Sequence, residues 1–194
     1  MCKHAHAYAV LYTPLHSYSY QILYEIATAI PSEIWTIAAP LLGPPIDSTA
    51  YSLRTWLQGE SFFGSENKAV SILSYIPPED LWRWVDQDVE KRAWYIANFA
   101  PKDLAAGPGK RSIVREILIR YGDREDVRRN LESGYFSGGW MGQESTHYQG
   151  VKQQLSVLLE SETAPRVRDW LNQCVGDLER WVDRVRVKEE REDF

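Results

Sequence analysis

Apolar residues recur at three- and four-residue steps through the C-terminal half of the chain, the period of an amphipathic helix. Val167, Leu171, Cys174, Leu178, Trp181 and Val185 fall on one face of a long helix, and Tyr148, Val151, Leu155, Leu158 and Leu159 repeat the pattern just before it. The polar stretch Ser161 to Pro165 separates the two and puts Pro165 where a helix starts, which predicts a helical hairpin. Upstream, Ile113, Val114, Ile117, Leu118 and Tyr121 form another stripe ended by Gly122. Asp123 then caps a helix carrying Val127 and Leu131, giving a second hairpin. Pro77 and Pro78 followed by Glu79 and Asp80 make a helix N-terminus with acids at the positive end of its dipole, leading into Leu81, Trp82, Trp84 and Val85. The stretch Val89 to Phe99 continues helically until Pro101. In the first third, Ser17 to Ala29, Ser32 to Leu42 and Ser48 to Leu57 each fit one helix, punctuated by Pro31 and Gly43-Pro44-Pro45. No segment alternates with period two, so the chain reads as all-α without strands.

Compared with one another, the helices show a longer period. Pro31-Ser32-Glu33-Ile34-Trp35 resembles Pro78-Glu79-Asp80-Leu81-Trp82. Glu79-Asp80-Leu81 matches Glu125-Asp126-Val127, with Arg83 over Arg129 and Val85 over Leu131, and Val127-Arg128 followed by Leu131 matches Val167-Arg168 followed by Leu171. From Ile34 to Leu81 to Val127 to Val167 the steps are 47, 46 and 40 residues, the spacing of helical-hairpin repeats. The acidic start, the Val-Arg pair and the apolar residue four positions after the Val resemble the second half of a HEAT repeat, over residues 30 to 185. That resemblance implies an α-solenoid of about four HEAT-like hairpins. The stretch from Tyr121-Gly122-Asp123 through Trp140 to His147-Tyr148 also resembles C-terminal helical regions of large bacterial multidomain proteins, some linked to defence against phage. On this reading the 194 residues form a single helical-repeat domain. Residues 1–30 are a low-charge aromatic region, 31–185 the repeats, and 186–194 a charged tail whose polar finish suits a C-terminal cap.

Composition narrows the function. Eight Trp and eleven Tyr exceed what one small core needs, and large amphipathic rings are favoured at interfaces. A net charge of −5 argues against a general polyanion binder, since such affinity comes from Lys and Arg neutralising phosphates. Cys2 and Cys174 have no CxxC spacing, so neither a disulfide framework nor a zinc site is expected, and a reducing compartment fits best. Uncharged stretches such as Ile34 to Ile46 are short and broken, here by Pro40, Pro44 and Pro45, and the N-terminus has no apolar core of a secretory signal. A cytoplasmic location without a membrane span is expected.

Residues 1–58 hold only Lys3, Glu25, Glu33, Asp47 and Arg54 as charged groups, with many Tyr and Trp. So little charge implies that the N-terminal half docks against a protein partner or the remainder of a larger polypeptide. Trp35, Trp56, Trp82, Trp84 and Trp140 are candidate contact positions, with inter-repeat core as the alternative for each. Ser133 to His147 is the longest connection without helical periodicity in the C-terminal half. Its Tyr135, Phe136, Trp140 and Met141 lie among four glycines, so it either folds back into a groove or presents Trp140, Glu144 and His147 to a partner.

Arg115, Arg124 and Arg128 are candidates for one anion- or nucleic-acid-binding stripe, although acids interleave with the basic run. Cys174 on an apolar stripe reads as packing, and His4 and His6 as at most an adventitious metal site. No HExxH, GxSxG or carboxylate constellation occurs, so neither catalysis nor a cofactor or metal is implied. The expected function is a non-catalytic protein-interaction or scaffold module within a larger bacterial assembly. The alternatives are a nucleic-acid-sensing helical domain of a defence system and a small helical metal-dependent or hydrolytic enzyme.

Overall fold

A computed structural model of the chain describes residues 25–42, 71–101, 104, 111–136 and 140–192. All regular structure among these residues is helical. The chain divides into two compact units, Met1–Val114 and Arg115–Phe194. The expected helix at 48–57, with Trp56, lies outside the described residues, as do His4, His6 and most of the expected helix at 17–29.

In the first unit, helical residues 25–29 end at Ile30, whose extended φ of −139° breaks the turn before Pro31 opens α1 (Pro31–Ala38). Proline suits this first helical position because its missing N–H has no intrahelical acceptor there. Pro40 then converts the expected continuation into a 3₁₀ turn, Ala39–Leu41. After a second 3₁₀ turn, Ile72–Ser74, α2 spans Pro78–Asp86 and α3 spans Val89–Phe99. Asp88 starts α3 by accepting from the Lys91 N–H at 3.4 Å, its side-chain oxygen meeting one of the orphan donors of the first turn.

The first turn of α1 sits on the first turn of α2. Trp35 donates its indole N–H to the Asp80 carbonyl at 3.2 Å, and Ser32 donates to the Asp80 carboxylate at 3.0 Å. Behind these bonds a run of edge-on rings fills the core. Trp35 meets Trp84 at 5.5 Å, Trp84 meets Tyr95 at 6.4 Å and Tyr95 meets Phe99 at 4.3 Å. Arg92 closes the α2–α3 corner, with its guanidinium 4.6 Å over Trp84 and its Nη1 donating to the Trp84 carbonyl and to Gln87.

The second unit takes in most of α4 (Ile113–Tyr121), with α5 (Glu125–Phe136), α6 (Glu144–Ser161) and α7 (Pro165–Glu192). Helix α5 runs on through Ser133 to Phe136 and α6 begins at Glu144, so the connection between them is shorter than the pattern suggested. Helix α7, with 28 residues, is about 42 Å long at 1.5 Å per residue. It lies antiparallel to α6: Lys152 pairs with Glu179 at 3.0 Å, while Ser145, earlier in α6, bonds Glu189, later in α7. The buried stripe of α7 is Val167, Trp170, Leu171, Cys174, Leu178, Val182 and Val185. It corrects the expected stripe at two places: Trp170 joins it, fully buried, and Val182 turns inward while Trp181 is 42% exposed.

Charged side chains from elsewhere in the unit satisfy its helix ends. Arg166 donates to the Ile119 and Arg120 carbonyls at 2.9 Å, meeting the negative C-terminal end of α4. Glu162 accepts the Thr163 and Ala164 N–H groups at 2.8 Å ahead of α7. Helix α6 has no cap from its own N-cap residue Gln143, and the carboxylate of Glu189 takes the Ser145 N–H at 3.1 Å and the Ser145 hydroxyl.

Candidate interaction site

The most exposed aromatic groups of the second unit gather where α6 begins. Gly142 has a φ of +92°, a left-handed conformation that a side chain disfavours, and it reverses the backbone between Met141 and the first turn of α6. Trp140, just before the reversal, folds back onto α6. Its ring stacks on His147 with centroids 5.4 Å apart and 16° between planes, and it tilts against Tyr148 at 5.3 Å. Glu144, His147 and Tyr148 share this face because three- and four-residue steps align on a helix.

Helix α7 supplies the other side of the cluster. Trp181 meets Tyr148 edge-on at 6.1 Å and donates its indole N–H to Glu144 at 3.1 Å. The guanidinium of Arg184, one turn further along α7, lies 5.2 Å over the Trp181 ring. Burial first, and the Glu144 charge second, push the Tyr148 hydroxyl above its ordinary pKa. Trp140 remains 38% exposed and Met141 is fully exposed.

A polar groove of about 310 Å³ also opens beside the Ser145–Glu189 clasp, lined by Gln143, Thr146 and Gln149 from α6 and by Arg186 and Glu190 from α7. The Ser145 hydroxyl and N–H hold the Glu189 carboxyl below the usual carboxylate range. Every residue that lines the groove has a polar or charged side chain.

The remaining candidates are placed as follows. Trp35, Trp82 and Trp84 are buried in the first unit, so their indoles are core and not contact surface. Of the candidate contact residues that are described, Trp140 and His147 lie in the aromatic cluster. The three arginines each have internal acceptors. Arg115 grips Glu162 with two bonds of 2.8 and 2.9 Å, Arg124 pairs with Asp126 at 2.9 Å, and Arg128 reaches the Gly122 carbonyl at 3.5 Å. Bonding by Arg115 and by two backbone N–H groups outweighs the opposing effect of burial and draws the Glu162 carboxyl down to about 2. Cys174 is fully buried, and desolvation pushes its thiol well above the ordinary value, so it is inert packing. Among the described residues no three His, Cys, Asp or Glu side chains group as metal ligands, and no helix is long and apolar enough to cross a membrane.

Sequence reasoning missed Trp181 and Arg184 as members of the cluster. Trp181 lies three residues after Leu178 and Val182 lies four after it, so either fits the helical stripe and the larger apolar ring was placed inward. The signal that separates them is chemical: valine has no polar atom to satisfy, whereas the indole N–H needs an acceptor and finds one at the rim. No protein-family model, curated protein or solved structure matches the chain.

Proposed function

We propose that the chain is a non-catalytic protein-interaction module of HEAT-like helical hairpins, serving as a subunit or segment of a larger assembly, and that it meets a protein partner through the aromatic surface of α6 and α7. The observation that carries this reading is the grouping of the exposed Trp140, Met141, Trp181 and Arg184 around the half-buried Tyr148. Tryptophan, tyrosine, methionine and arginine are the residues enriched in interface cores, and Trp, Tyr and Arg dominate binding hot spots. Trp140 and Trp181 leave 38% and 42% of their surface in water within this one grouping, and Trp94 of the first unit is exposed to a similar degree, at 39%.

The repeat part of the proposal is supported by burial in register. Ile34, Leu81, Val127 and Val167, which mark the 47-, 46- and 40-residue steps, are each fully buried and lie two or three residues after a helix start. The low-charge N-terminal half remains a second proposed contact region on its composition alone. Nothing favours the nucleic-acid reading, because Arg115, Arg124 and Arg128 are engaged by internal acceptors.

The test is affinity capture from lysate of the source cells with the full chain, comparing the natural sequence with a Trp140→Ala/Trp181→Ala variant whose helix content is verified by circular dichroism. The proposal expects a protein retained by the first and lost by the second. The same set of proteins on both would overturn it.

A further inference from the structure

We propose that the aromatic cluster of α6 and α7 recognises a basic side chain, arginine or lysine, on an exposed segment of the partner protein. This rests on the cluster being the docking surface and specifies what is read there. The cluster already holds a cation of this class, since the Arg184 guanidinium lies 5.2 Å over Trp181. The electron-rich faces of indole rings attract such groups. A carboxylate lies among the rings as well: Glu144 accepts the Trp181 N–H at 3.1 Å, and its charge adds to burial in raising the Tyr148 hydroxyl. Glu144 thus sets a negative charge beside the rings, opposite in sign to the Arg184 charge over Trp181.

Arg184 leaves part of this surface uncovered. Trp140 gives one face to His147 and stays 38% exposed beside the fully exposed Met141, and no cation of the described residues lies over its ring. A guanidinium or ammonium placed there gains the ring quadrupole and the Glu144 charge together, whereas an acidic segment meets repulsion. The chain's net charge of −5 attracts the same partner at longer range. Arginine suits the site better than lysine, because its planar group stacks on an aromatic face with less hydration to lose.

Two octapeptides test the proposal on the full chain, one alternating glycine with arginine and one alternating glycine with citrulline, which keeps the shape of arginine and lacks its charge. Binding is followed by tryptophan fluorescence and by the indole N–H signals in NMR. The arginine peptide should shift the Trp140 and Trp181 signals, and the citrulline peptide should bind about tenfold more weakly. Trp140→Ala should abolish the response, and the conservative Glu144→Gln should weaken it about three- to tenfold. Glu33→Gln, an exposed acid of the first unit, should leave it unchanged.

Equal affinity for the citrulline peptide, an undiminished response in Trp140→Ala, or equal weakening by Glu33→Gln would overturn the proposal, the last by reducing it to general charge attraction. If the arginine peptide does not bind while Trp140→Ala/Trp181→Ala still abolishes partner capture, the basic-residue specificity falls and the docking surface stands. If capture is also unaffected by that variant, both fall.

Discussion

Glu162 shows how much one side chain does in the second unit. It receives two bonds from Arg115 and one each from the Thr163 and Ala164 backbone, joining α4 to the turn before α7. Its carboxyl sits at about 2 in the folded chain, below the roughly 4.3 of an unfolded glutamate. The unfolded state therefore takes up the proton first on acidification. The stabilisation is complete above about pH 5 and is lost as pH falls towards 2. Urea denaturation of the natural chain and of Glu162→Gln should differ by about 1–3 kcal/mol at pH 7, the cost of weakening hydrogen bonds to a charged group, and converge near pH 2. A difference independent of pH would show that the carboxylate charge is not what matters. Gly142 makes a separate prediction. At φ +92° an alanine is strained, so Gly142→Ala should cost about 1 kcal/mol and change the near-ultraviolet dichroism of the Trp140 stack.

The helices themselves were legible wherever a breaker or cap fixed their ends. Pro31, Pro78 and Pro165 each open a helix, and the expected bounds of α3 are those observed. Phase within a helix was less legible, because on α7 the three- and four-residue steps from Leu178 lead to different residues. Stability measurements separate them. Val182→Ala removes buried methyl groups and should cost about 1–3 kcal/mol in chemical denaturation, whereas Trp181→Ala, at a 42% exposed position, should cost less than half as much. The reverse order would put the indole inside and the valine at the rim. Contacts such as Glu189 on Ser145, 44 residues apart, were not legible at all. They depend on how α6 and α7 lie against each other, and local pattern does not specify that.

Across the whole molecule, the positions that mark the proposed recurrence, Ile34, Leu81, Val127 and Val167, are all fully buried just inside helix starts. Tryptophan was only partly legible. Trp35, Trp82 and Trp84 were named as contact candidates with core as the alternative, and they are core, while Trp181 was read as core and lies at the surface. The amphipathic indole fits either place, and the acceptor decides: Trp35 finds the Asp80 backbone inside and Trp181 finds Glu144 at the edge. The stretch from Ser133 to His147 was read as one connection, but residues 133–136 belong to α5 and 144–147 to α6, and Trp140 folds back onto α6 while staying 38% exposed. The proposed function depends on this aromatic face being a contact surface. Its most direct test is calorimetry of the captured partner against the natural chain and the folded Trp140→Ala/Trp181→Ala variant. Two hot-spot residues predict a loss of at least about 2 kcal/mol, or roughly thirtyfold in Kd. Equal affinity for the two chains would contradict it.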